Sequence, residues 1–222
     1  MGIALLLAVL AASLLLIAFS PNLQAWGLSG FGILAVLVVF RIATGALEGS
    51  ANRQFKAERR AVRGARAEER IEDALTELGE DFYILHDVPS PYGNIDHIAL
   101  GKQNGVFLLE TKAHDGKIEV VENRLLVNGK PPERDFIAQA LKNTYWLKEK
   151  LKKIAGSDVW VTPVVVFANA FVPQSKPVKG VVIINKRYLV STLRRGRPST
   201  SAAHVWDKRS EVRAALMHNG QN

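Results

Sequence analysis

The chain has 222 residues, enough for one ordinary domain and an additional segment. Its 29 Lys and Arg outnumber its 21 Asp and Glu, giving a formal net charge of +8 that favours polyanionic partners: nucleic acid, or an anionic membrane face. It contains no cysteine, which excludes disulfides, thiolate–metal sites and a thiol nucleophile.

The first forty residues contain no Asp, Glu, Lys or Arg. Ile3 to Phe19 is an apolar run interrupted only by Ser13, close to the length a helix needs to cross a hydrocarbon core of about 30 Å. Ser20, Pro21 and Asn22 break it, and a second apolar stretch runs from Ala25 to Phe40. This pattern predicts a transmembrane helical hairpin over 1–41, a membrane partner through residues 3–40 and a multi-pass location. The basic residues after it, from Arg41 through Arg53, Lys56, Arg59, Arg60, Arg63 and Arg66, place the following domain on the cytoplasmic side. A signal peptide fits less well, because the n-region lacks a positive side chain and no clean cleavage site follows.

Residues 42–63 read as a basic connector. Gly64 to Leu78 reads as an amphipathic helix with Gly64, Glu68, Ile71, Leu75 and Leu78 on one stripe, which predicts an inward-facing Glu68. Strands follow at Phe82–Val88, Ile95–Leu100 and Val106–Lys112, with a turn at GKQNG between the last two. Lys117–Val121 and Arg124–Val127 form a hairpin around Glu122-Asn123. Asp135–Ile154 is a helix closed by Gly156. Val159–Ala168 and Val181–Asn185 are apolar enough to be buried strands. A short helix covers Arg187–Leu193, and the basic tail 194–222 holds a helical stretch around Arg209–Met217. The order of elements predicts an α/β fold with a mixed sheet flanked by helices, preceded by the transmembrane hairpin.

Centring the β-turn on Gln103 pairs Leu100 with Val106, Ile98 with Leu108, and Asp96 with Glu110. Directly opposed residues have Cβ atoms about 4.5–5.5 Å apart, so two carboxylates meet among apolar neighbours, an arrangement that destabilises a sheet. A hard divalent cation, Mg²⁺ or Mn²⁺, removes the conflict, which makes Asp96 and Glu110 metal-ligand candidates. Lys112 projects from the same face as Glu110, where it can position water or offset charge on a phosphate. Glu68 is a candidate fourth member. The alternative is a buried ion pair of Lys112 with Asp96 or Glu110. The five histidines show no zinc spacing along the chain.

The pattern D-x(13)-E-T-K formed by Asp96, Glu110 and Lys112 resembles the core of the PD-(D/E)xK nucleases. The segments GARAEERI, NIDHIALGKQNGVFLLETKAHDGKI and TPVVVFAN are similar to the nuclease-related domain, or NERD, family over about 64–193. The resemblance implies a restriction-endonuclease-like fold, a divalent metal, a DNA or RNA phosphodiester substrate, and site residues Glu68, Asp96, Glu110, Lys112 and Gln139. Two departures stand out: Ala67 precedes Glu68 where the family has Gly, and Asp135-Phe136 replaces an Asn-Pro before Gln139. Together these observations predict a membrane-anchored, Mg²⁺- or Mn²⁺-dependent nuclease acting on nucleic acid, DNA ahead of RNA. The alternatives are a tethered nucleic-acid-binding module without catalysis, or a protein scaffold.

Overall fold

The computed structural model describes residues 41, 55, 58–173 and 177–217. The chain divides into two compact units, 1–60 and 61–222, and the sheet and the candidate site belong to the second. Residues 61–76 are helical (α1). A five-stranded sheet follows, built from β1 (Phe82–Val88), β2 (Ile95–Gly101), β3 (Gly105–Lys112), β6 (Val161–Phe167) and β7 (Val182–Asn185) in that spatial order. The pairs β1–β2 and β2–β3 are antiparallel, and β3–β6 and β6–β7 are parallel. A separate hairpin, β4 (Ile118–Val121) and β5 (Arg124–Val127), and the helix α2 (Phe136–Ala155) lie between β3 and β6. The remaining helices are α3 (Leu189–Arg194), α4 (Thr200–Asp207) and α5 (Arg209–Met217).

Local chemistry fixes these elements. Glu122 and Asn123 both take positive φ, 49° and 59°, as a two-residue hairpin turn requires. Asp135 caps α2 by accepting from the Ala138 N–H at 3.0 Å, and Gly156, at φ 74°, ends the helix in the left-handed conformation open to glycine. Ser199 caps α4 in the same way, accepting from the Ala202 N–H.

Layers form on both sheet faces. On one, Leu147 and Leu151 of α2, Ala202 and Val205 of α4, and Val212 and Leu216 of α5 pack on Leu85, Ile98, Leu100, Val106 and Leu108. On the other, Ile71, Leu75 and Leu78 join Leu189 and Leu193 of α3 over Ala99, Phe107, Leu109, Val164 and Val166. A third cluster joins the β4–β5 hairpin to the start of α2 and to Val165 and Phe167. Helices α4 and α5 are thus part of the core packing, and α4 lies where the sequence suggested only a basic tail.

One expectation is corrected. Among the described residues no helix is long and apolar enough to cross a membrane. The 20-residue α2 has the length, but Lys142, Lys148, Glu149, Lys150, Lys152 and Lys153 exclude it from hydrocarbon. The described fold is therefore a mixed sheet flanked by helices without a transmembrane hairpin. The expected membrane anchor, membrane partner and multi-pass, cytoplasm-facing location find no support among the described residues. Residues 1–40, on which those expectations rested, and most of the connector lie outside the described residues.

Candidate active site

The β2–β3 ladder runs in the expected register, Leu100 opposite Val106 and Ile98 opposite Leu108, and its partners end at His97 and Leu109. One position further on, a side chain replaces the backbone: Oδ2 of Asp96 accepts the Thr111 N–H at 2.5 Å. The carboxylate thereby satisfies a strand N–H at the point where the ladder stops.

β1 is distorted at the same level. His86 pairs with His97 and Val88 with Ile95, which leaves Asp87 facing Asp96, and Asp87 has φ 50°. A left-handed residue inside a strand breaks the two-residue alternation. Accordingly Leu85 and Val88, three apart, pack in one apolar cluster, as do Ile95 and Ile98. Asp87 lies near enough to Asp96 to help raise its carboxyl.

Glu110 is only 2% exposed. Its Oε1 accepts from Lys112 Nζ at 2.6 Å, while its Oε2 is buried with no hydrogen-bond partner among the described residues. Burial pushes the Glu110 carboxyl up to about 6 and nearby Asp96 pushes the same way, against the Lys112 ammonium. Burial also raises Asp96, with Asp87 adding to it, while the Thr111 N–H and Lys112 hold it down. Lys112 Nζ lies 5.0 Å from the centre of the Phe136 ring. The departure from the family pattern at Asp135-Phe136 is thus accommodated: Asp135 keeps the capping function, and Phe136 places an aromatic face under the lysine.

Glu68 differs from its expected position. The buried stripe of α1 is Ala67, Ile71 and Leu75, continued by Leu78 in the turn after it, and Glu68 is exposed beside it. It nonetheless reaches the acidic group: its carboxyl is raised, by partial burial first and then by Asp96, Asp87 and Glu72, with Lys112 opposing. Gln139 is half-buried in the first turns of α2, where its backbone N–H donates to the Asp135 carbonyl. No hydrogen bond joins its side-chain amide to Asp96 or Glu110 among the described residues. His114 packs against Phe136, ring centres 5.2 Å apart. Asp87 was not anticipated, because a left-handed residue inside an apolar strand leaves no compositional mark.

A second group lies on the neighbouring face. Glu72, His86 and His97 each bring one ligand atom within 4.8 Å of the others, an arrangement able to coordinate a divalent cation. The two Nδ1 atoms are 3.0 Å apart, and Oε1 of Glu72 is 3.5 Å from Nδ1 of His86. Burial, then His86, lowers His97 to about 4, which leaves it neutral at pH 7. Spacing along the chain excluded these histidines as ligands. The β1–β2 register brings them together, and the antiparallel pairing of the hairpin was the signal that would have found them.

A mixed sheet carrying an aspartate at the end of one strand and Glu-x-Lys at the end of the next defines a PD-(D/E)xK-like core. Residues 63–168 match the model of the nuclease-related domain, and this segment is a NERD domain. No curated protein and no solved structure matches the chain.

Proposed function

We propose that the chain is a metal-dependent nuclease, with Mg²⁺ or Mn²⁺ bound between Asp96 and Glu110. The observation that carries this reading is the orphaned, buried Oε2 of Glu110 beside a second raised carboxyl. An unpartnered buried carboxylate oxygen is costly, and a hard cation is the partner its chemistry suits. When bound, such an ion supplies Lewis-acid polarisation of phosphate and lowers the pKa of its water.

The remaining roles fall to the chain itself. Lys112, held by Glu110 and the Phe136 ring, presents fixed positive charge to oxygens that gain negative charge as the phosphodiester is attacked. Glu68, exposed and raised above the ordinary glutamate value, is suited to accept the proton of the attacking water. Thr111 orients Asp96 through its backbone N–H. The net charge of +8 draws the polyanionic substrate to the domain.

The test is incubation of the full chain with plasmid DNA and with RNA, in Mg²⁺, Mn²⁺ or EDTA. Ion-dependent cleavage that disappears in Asp96→Asn is expected. Salt-sensitive binding without cleavage under every condition would instead identify a non-catalytic nucleic-acid-binding module.

A further inference from the structure

We propose that Glu72, His86 and His97 form a separate site for a borderline divalent cation of the Zn²⁺ class, which braces α1 against the β1–β2 hairpin. This inference stands apart from the nuclease reading and uses none of its proposed metal ligands.

The geometry argues for a cation rather than for hydrogen bonding alone. Nδ1 of His86 faces two acceptor-capable atoms at once, Nδ1 of His97 at 3.0 Å and Oε1 of Glu72 at 3.5 Å. A single imidazole N–H points in one direction and can serve one of them well. With the third pair also within 4.8 Å, the three ligand atoms lie close enough together to share one cation. Ligands about 2.0–2.1 Å from a tetrahedral zinc lie roughly 3.3 Å from one another, so the observed 3.0 and 3.5 Å bracket the required spacing.

The donor set selects the ion. Two imidazoles and one carboxylate suit Zn²⁺ and its neighbours, whereas Mg²⁺ prefers an all-oxygen shell. His97 is 2% exposed and meets the cluster through Nδ1, so as a neutral ligand it carries its ring proton on Nε2, an atom with no partner among the described residues. Side chains of Glu72 and His86 are about half exposed, which leaves a fourth coordination position open to water.

The consequence is mechanical. Glu72 stands one helical turn after Glu68, and His97 adjoins Asp96. An ion shared by the helix and both hairpin strands therefore fixes the part of α1 that carries Glu68 relative to the kinked strand ends.

The experiment titrates Zn²⁺ alone into the EDTA-stripped full chain, by calorimetry and by thermal melting, for wild type, His86→Ala, Glu72→Gln and Asp96→Asn. His86 and Glu72 are exposed, so their replacement leaves the core intact, and circular dichroism checks this. A Zn²⁺ that raises the melting temperature and is retained in Asp96→Asn, in addition to any ion held by Asp96 and Glu110, is expected. Affinity falls by about a hundredfold in His86→Ala and by about tenfold in Glu72→Gln, and is unchanged in Asp96→Asn. Co²⁺ in place of Zn²⁺ gives the strong visible absorption of a four-coordinate N/O site, lost in His86→Ala. Wild-type affinity in His86→Ala, or Zn²⁺ binding abolished by Asp96→Asn alone, overturns the proposal.

Discussion

The strands β2 and β3 have two unlike halves. From Gly101 and Gly105 to His97 and Leu109 they are ladder-bonded, and Ile98, Leu100, Val106 and Leu108 are at most 2% exposed. Beyond that level the ladder gives way to the Asp96 side chain, the neighbouring strand kinks at Asp87, and two raised carboxyls surround one lysine. The first half stabilises the sheet through burial. The second concentrates like charge, a strained backbone residue and an orphaned oxygen in a place where apolar side chains would be more stable. Such a contrast within one pair of strands separates a scaffold from a site, and it predicts that mutations in the two halves affect different measurements.

The largest effect is expected at the acidic end. Asp96→Asn or Lys112→Ala should reduce cleavage by on the order of a thousandfold, about 4 kcal/mol of barrier. Thermal melting should move little in Asp96→Asn, because an amide oxygen can still accept the Thr111 N–H. The apolar half should behave in the opposite way. Leu108→Ala should cost roughly 2–5 kcal/mol in urea unfolding, with the specific activity of the folded fraction unchanged. If both kinds of variant lost stability and activity together, the division between the halves would not hold.

The pH dependence sharpens the comparison. Glu110 in the folded chain is raised to about 6 from an ordinary 4.5, so the metal-free folded state binds its proton more tightly than the unfolded chain does. The stability from this group is complete below the ordinary value and is lost as pH rises through about 6. A cation competes with the same proton, so Mn²⁺ affinity should fall by about tenfold per pH unit below about 6. Calorimetry across this range checks the direction, and an affinity independent of pH would remove Glu110 from the ligand set. The smallest effect is at the helix start. Asp135→Ala removes the cap of α2 and should cost about 1 kcal/mol, read by thermal melting.

Regular periodicity made much of the fold legible. The short GKQNG turn centred on Gln103 gave the register of β2 and β3, and the ladder follows it, with Ile98 opposite Leu108. Asp135, the apolar stripe and Gly156 delimited α2. Helix α4 escaped notice because only Ala202 and Val205 of its eight residues are buried, too few for a periodic signal after a polar, arginine-rich stretch. Asp96, Glu110 and Lys112 were legible as charges among apolar neighbours. Glu68 shared a helical stripe with Ile71 and Leu75, yet the buried face centres on Ala67, one residue away. A rotation of about 100° per residue separates an inward carboxylate from an exposed one. The meeting of His86 with His97 depends on strand pairing, which spacing along the chain does not encode.

Anomalous diffraction from a crystal of the chain soaked in Mn²⁺ tests the central claim most directly. A peak within coordination distance of Asp96 and of Oε2 of Glu110 is the predicted result. A fully soaked crystal with no ion there, and with the Lys112–Glu110 ion pair as the whole of the arrangement, would contradict it.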